Sequence, residues 1–259
     1  MKDLDLLPVV VEAVEAAGRL LLGRPAPPSF ATFAEFKAVF DAINDPSEML
    51  LRDRLGAVCP GIEWVEEMDT EIGTSGEAWV VDAVDGAVQY IQRLPQWSVS
   101  VALVRDGHPV LAVLHSAWLR ETYTAVRGEG AFLNDTPISP STKANVGLTV
   151  VGTSQPPFPG HQPDAINSTG AAMIALLPAV GAIRNLGPTS WQVADVASGR
   201  LDAFWEYGRD AGNLIAGSLL AIEAGAVVTD TSGRPWGPSS NSFLVAPAEL
   251  HRQLVALLP

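Results

Sequence analysis

Between residues 61 and 128, five short runs follow one another: GIEWVEEM, AWVVDAVDG, QWSVSVALVRDG, HPVLAVLHSAW and ETYTAVRG. Each is rich in β-branched or aromatic residues and bounded by turn residues, the pattern of strands. RDGHP (105–109) reads as a hairpin-like turn and RGEGAFLND (127–135) as a glycine-rich turn region. The block predicts a largely antiparallel sheet. Helices precede it. Leu7, Val10, Val11, Val14, Leu20 and Leu21 form an apolar stripe, so residues 5–22 read as an amphipathic helix closed by Gly23 and Pro25. RPAPPSFATF (24–33) is a Pro-rich connector. DPSEMLLRDRLGA (45–57) reads as a second helix, with Asp45 as its cap, Pro46 in its first turn and Glu48 at capping-box spacing.

The second half alternates. Strands are expected at 148–154, 182–187, 201–208 and 226–230. Helices are expected at 165–180, 189–200 and 209–226, with a last one at 249–258. SQPPFPGHQPD (154–164) is a Pro-rich loop. Such βαβα alternation implies an α/β layer. The expected organisation is an α+β part over 1–145 and an α/β part over 146–259.

Composition narrows function. Of 259 residues, 47% are hydrophobic and 17% charged, which suits a sizeable core. A net charge of −13 argues against a nucleic-acid polymer as partner, because such binding needs a basic footprint. A small anionic substrate stays compatible, since metal ions reverse a local field. The single cysteine, Cys59, excludes an intramolecular disulfide and fits a reducing, cytoplasmic setting. The first residues, MKDLDLLP, lack the basic region of a secretory signal. The best uncharged stretch, 165–183, is diluted by Asn167, Ser168, Thr169, Gly170 and Pro178, so no membrane association is expected.

Several chemistries fail on spacing. An EF-hand with Gly86 as its glycine needs ligands where Val81, Ala83 and Gln92 stand. No P-loop, HExxH, CxxC or GxSxG occurs, and the four histidines are scattered. Three acidic clusters remain: Glu66–Glu67 after IEWV, Asp82 and Asp85 after WVV, and Asp210 at a helix start. Acids at the ends of apolar strands make a hard, all-oxygen site that suits Mg2+. The four charges of Glu66, Asp82, Asp85 and Asp210 match those of two Mg2+ ions. Plainer roles are also open. Asp210 would serve as a helix N-cap, Asp82 and Asp85 as turn caps, and Glu66 and Glu67 as solvated acids.

The clusters, in this order, resemble those of the inositol monophosphatase family of Mg2+-dependent, lithium-sensitive sugar phosphatases. The family pattern is a GEE-type doublet, then WhhDPhDGTxNF, then WDxAAG with EAGG (h, apolar). Here these read WVEEM, WVVDAVDGAVQY and RDAGNLIAGSLLAIEAGA. RGEGAFLNDTPISPS is similar to KGxGAFxNGxxhxVS, and RNLGPTSWQVADVASGRLDAFWE to RxxGSAAhxhxxVAxGxhDAYhE. The resemblance spans essentially the whole chain.

It implies a layered αβαβα sandwich, a homodimer, and hydrolysis of inositol monophosphate or a related polyol or sugar phosphate by metal-activated water. Two or three Mg2+ ions would be held by Glu66, Asp82, the Ala83 carbonyl, Asp85 and Asp210, with Glu67 replacing Glu66 if the register slips by one. Glu66, Asp82 and Asp85 would be catalytic. Gly86 and Ala87 would offer amides to phosphate, Glu206 would meet substrate hydroxyls, and Arg209 would attract the anion. Asp45 matches an outer-site aspartate. Two alternatives follow: a 3′(2′),5′-bisphosphate nucleotidase, or a catalytically weak ligand-binding member. The latter arises because Ala87 stands where the family threonine orients the attacking water.

Overall fold

The computed structural model describes residues 2–66, 72–73 and 75–259. Two helices open the chain, α1 (Asp3–Leu22) and α2 (Phe33–Val58). Next come strands β1 (Glu63–Glu66) and β2 (Glu77–Asp85) and a short helix α3 (Ala87–Ile91). Strands β3 (Ser98–Arg105), β4 (His108–Ser116), β5 (Glu121–Val126), β6 (Gly130–Leu133) and β7 (Thr136–Pro137) follow. Among the described residues these seven strands form one sheet in sequence order. Every neighbouring pair is antiparallel except β1 and β2. The antiparallel expectation therefore holds, although the glycine-rich region at 127–135 contains the strand β6 as well as turns.

The second half contributes β8 (Val150–Thr153), α4 (Pro163–Leu176), β9 (Ala182–Arg184), α5 (Thr189–Ala197), β10 (Ala203–Tyr207), α6 (Ala211–Glu223), β11 (Val227–Thr229), β12 (Ser242–Ala246) and α7 (Ala248–Leu257). Its sheet runs β11-β12-β10-β8-β9. Strands β8, β9 and β10 are parallel, as βαβ alternation requires, while β12 runs antiparallel to both its neighbours. Strand β12 lies outside the sequence expectation and makes the sheet mixed.

Burial sorts these elements into five layers. Helices α1 and α2 bury Val14, Leu21, Leu51 and Leu55 against Trp79, Val81, Val101 and Leu111 on one face of the first sheet. The other face presents Val80, Ala102, Ala112 and Leu114 to α5 and α6, which also meet Phe204, Phe243 and Val245 of the second sheet. The far face of that sheet packs Val151, Trp205 and Leu244 on Leu176 of α4 and Leu250 of α7. The order is αβαβα. Because β2 is covered on both faces, its sequence is nearly continuous apolar residues rather than an alternation.

The expected start of α2 is wrong by about three turns. Asp45 does not cap a helix; it lies inside one that begins at Phe33. The true cap is Thr32, whose hydroxyl accepts from the Glu35 N–H at 3.2 Å while the Glu35 carboxylate accepts from the Thr32 N–H at 3.1 Å. Pro46 is tolerated mid-helix for a reason distant in sequence. It has no N–H for the Ala42 carbonyl one turn back. The Arg24 guanidinium donates to that carbonyl instead, at 2.6 Å.

One half-buried acid links the middle layer to the first sheet. Asp195 of α5 accepts from the Tyr123 hydroxyl at 3.2 Å and has Arg200 at 3.7 Å. Burial pushes its carboxyl up to about 6, against the opposing pull of Arg200 and the Tyr123 hydrogen bond; the Glu121 charge adds to the rise. The folded pKa exceeds the unfolded one. Between about pH 4 and about pH 6 the native state thus binds more protons, and stability falls as pH rises. Asp195→Asn, which does not titrate, is expected to flatten that fall. Urea midpoints across the window check this, and an unchanged slope would refute it.

Candidate active site

Strand β2 carries the first two acids, and their spacing is awkward. In a regular strand, residues three apart point to opposite faces. The register resolves this. Asp82 pairs with Ser100 and Asp85 with Ser98, so three steps on β2 match two on β3. This is a β-bulge. Ser98 and Ser100 share a face, so Asp82 and Asp85 share it too. Ala78 and Val80 place that face against α5 and α6. Ala83 and Val84 both turn to the opposite core, as the extra residue demands. Asp82 and Asp85 are 5% and 2% exposed.

Neighbouring groups fix these carboxylates. Asp82 Oδ1 accepts from the Val84 N–H at 2.9 Å, the turn-cap bond that the sequence leaves open. Asp85 Oδ2 accepts from the Ser98 hydroxyl at 3.1 Å and also from the Ser190 hydroxyl. Ser190 and Thr189 begin α5. Thr189 donates to Ser154 at 2.8 Å and also lies against Glu206 of β10. Glu206 is fully buried and touches Asp210. Burial, then the Asp210 charge, holds the Glu206 carboxyl well above the usual range. Asp210, 4% exposed, occupies the N-cap position of α6, yet its side chain makes no cap bond. Its Oδ1 accepts from Asn213 at 2.7 Å. The start of α5 thus joins Asp85 from one sheet to Glu206 and Asp210 from the other. Two helix N-termini add partial positive charge beside these acids.

Glu66 stands apart. Its side chain is 55% exposed at the end of β1, 3.7 Å from Arg52. Arg52 also pairs with Glu48 at 2.6 Å and lies 4.6 Å over the Trp64 ring. Glu67 lies outside the described residues. The Ala83 carbonyl accepts from the buried Ser47 hydroxyl at 3.2 Å. Gly86 has φ +84°, and a Cβ there would stand 2.9 Å from the Gln96 carbonyl, so no other residue fits. Ala87 opens α3. Asp45 is exposed on α2. Arg209 is exposed, with its Nε donating to Asn241 at 3.0 Å.

Among the described residues, no three His, Cys, Asp or Glu side chains converge into a closed cage. The donor chemistry nonetheless fits Mg2+: buried aspartate oxygens from the end of β2 and the start of α6 are hard ligands. Ser47, Ser98, Ser190 and Asn213 were not anticipated as site residues. The one local signal was TS at 189–190, where the family pattern has two alanines.

The sequence profile described as "Inositol monophosphatase family" matches residues 5–259. The chain belongs to the inositol monophosphatase family. An inositol-1-monophosphatase of Rhizobium meliloti is 33% identical over 244 residues, covering 88% of this chain and 86% of its own. A Nus factor SuhB of Salmonella typhimurium is 31% identical over 235 residues, covering 88% and 86%. The solved inositol monophosphatase of Anabaena, 23% identical, superposes with a TM-score of 0.85 over 98% of this chain and 96% of its own, which shows the shared fold. Family membership supports phosphatase chemistry. No described helix is long and apolar enough to cross a membrane.

Ser190 supplies a hydroxyl that the family pattern lacks. Ser190→Ala removes a hydrogen bond to a buried carboxylate and is expected to cost about 1.5–3 kcal/mol of stability in the metal-free protein. Urea unfolding measures it. An unchanged midpoint would show that Ser190 does not hold Asp85.

Proposed function

We propose that this chain is a Mg2+-dependent phosphomonoesterase acting on inositol monophosphate or a related polyol or sugar phosphate. The observation that carries this reading is the bulged end of β2, which turns two buried aspartates toward Glu206 and Asp210 across the start of α5. Asp82, Asp85, Asp210 and the Ala83 carbonyl would hold the metal. Bound Mg2+ would supply charge neutralisation at phosphate and a more acidic water.

The chain's own groups do the rest. Glu66 accepts the proton of the attacking water. An exposed ion pair of the Glu66–Arg52 kind is worth about 0–1 kcal/mol, too little to hold Glu66 outside against a better partner. The Gly86 and Ala87 amides bind phosphate oxygens. Glu206 meets a substrate hydroxyl, and Arg209 draws in the anion. The active species is a homodimer.

Phosphate release from inositol 1-phosphate, with and without Mg2+, tests the reading. Losing metal contacts worth several kcal/mol makes Asp82→Asn slower by on the order of 100-fold or more; retained activity would sink the assigned site. Ala87→Thr restores a hydroxyl able to bond a charged partner. It is expected to raise the rate by about 10–100-fold, and a rate that does not rise would show that water is oriented without it.

A further inference from the structure

Helix α2 turns Ile43, Ser47, Leu51 and Leu55 inward at a spacing of four. Ile43, Leu51 and Leu55 pack on the first sheet. Ser47, in the same stripe, is 0% exposed and carries a hydroxyl. Burying a hydroxyl costs free energy unless it is bonded. Inside a helix it also competes for the helix's own backbone groups. Stability alone would continue the aliphatic stripe.

The hydroxyl bonds outside its helix. It donates to the Ala83 carbonyl at 3.2 Å, 36 positions along the chain. Ala83 and Val84 lie inside the bulge, between the paired positions Asp82 and Asp85. Backbone groups there drop out of the ladder and need other partners. The peptide joining Ala83 to Val84 has one at each end. Its C=O accepts from Ser47, and its N–H donates to Asp82 Oδ1 at 2.9 Å. This peptide is trans, so the two groups point in opposite directions. Ser47 holds it from the α2 side and Asp82 from the other, which fixes the rotation of its plane. The atoms form a chain, O–H···O=C–N–H···Oδ1, in which each hydrogen bond polarises the next. A carbonyl oxygen has two lone pairs, so the Ser47 bond does not exhaust it. The family pattern has proline where Ala83 stands, and a proline ring fixes φ. Alanine lacks that restraint, and the hydrogen bond from Ser47 takes its place.

We infer that Ser47 is a positioning residue for the candidate metal centre: through the Ala83–Val84 peptide it sets the direction of the Asp82 carboxylate, and with it the affinity for a divalent cation. The inference rests on the Mg2+-dependent reading above, in which Asp82 holds the metal. Ser47 acts through the peptide and is not itself a ligand.

Two measurements on the full chain test this. Titration calorimetry gives the affinity for Mg2+. Outer-shell hydrogen bonds of metal ligands are worth about 10–100-fold in affinity, and Ser47→Ala is expected to weaken Mg2+ binding by such a factor. Amide hydrogen exchange, followed without metal, reads the peptide directly. In Ser47→Ala the Val84 amide is expected to exchange about fivefold or more faster relative to that of Val101 on the paired strand. A general loss of stability speeds both amides alike, so their ratio isolates the Ala83–Val84 peptide. Ser47→Thr keeps the hydroxyl and should recover both readouts. Unchanged Mg2+ affinity in Ser47→Ala, an unchanged Val84 to Val101 ratio, or a Ser47→Thr chain no better than Ser47→Ala would each overturn the inference. A natural chain that binds Mg2+ but releases no phosphate from inositol 1-phosphate would instead refute the phosphomonoesterase reading, and the affinity comparison would still decide about Ser47. A natural chain that binds no Mg2+ would overturn both.

Discussion

The candidate site depends on one irregularity, the bulge that sets three residues of β2 against two of β3. Without it Asp82 and Asp85 would face opposite layers, one toward α1 and α2 and the other toward α5 and α6. With it both enter the middle layer, close to helix N-termini and serine hydroxyls. Taking a carboxylate out of water costs on the order of several kcal/mol. The arrangement therefore needs compensating donors. The structure provides them from Val84, Ser98 and Ser190.

Helix α5 is the joint between the two halves of the site. Its first two residues reach Asp85 and Glu206, and its next turn carries Gln192, whose amide donates to the Thr153 carbonyl at 3.2 Å and accepts from Leu186 at 3.1 Å. Trp191 packs edge-on against Tyr123 at 5.1 Å. The same short helix therefore ties β8, β10 and β5 to the acids. Glu206 and Asp210 are in contact here, and burial together with the Asp210 charge pushes the Glu206 carboxyl up. The middle layer thus holds two buried acids in contact, an arrangement that stability alone does not favour but that a charge-handling site uses.

Departures from the family pattern cluster around this joint. Ala87 lacks the hydroxyl of the family threonine, while Thr189 and Ser190 bring hydroxyls where the pattern has alanines. Arg209 stands where the pattern has tryptophan, exposed and donating to Asn241. The acids keep the family pattern while their immediate surroundings depart from it.

The antiparallel first sheet and the βαβ alternation were legible in the sequence, because both follow from local periodicity and turn residues. Three features were not. The start of α2 was misplaced because Pro46 is rescued by Arg24, 22 positions away in the chain. Strand β12 was missed because five residues after a turn-rich stretch carry little periodic signal. The position of Glu66 beside Arg52, with its side chain 55% exposed, was not legible because it depends on β1 meeting α2. By itself the sequence determined which acids end which apolar strands. Only the tertiary structure decided that Asp82 and Asp85 share a face, that Ser190 meets Asp85 and that Thr189 lies against Glu206. Each of these is set by pairing or packing between segments far apart in the chain, and no local spacing encodes it.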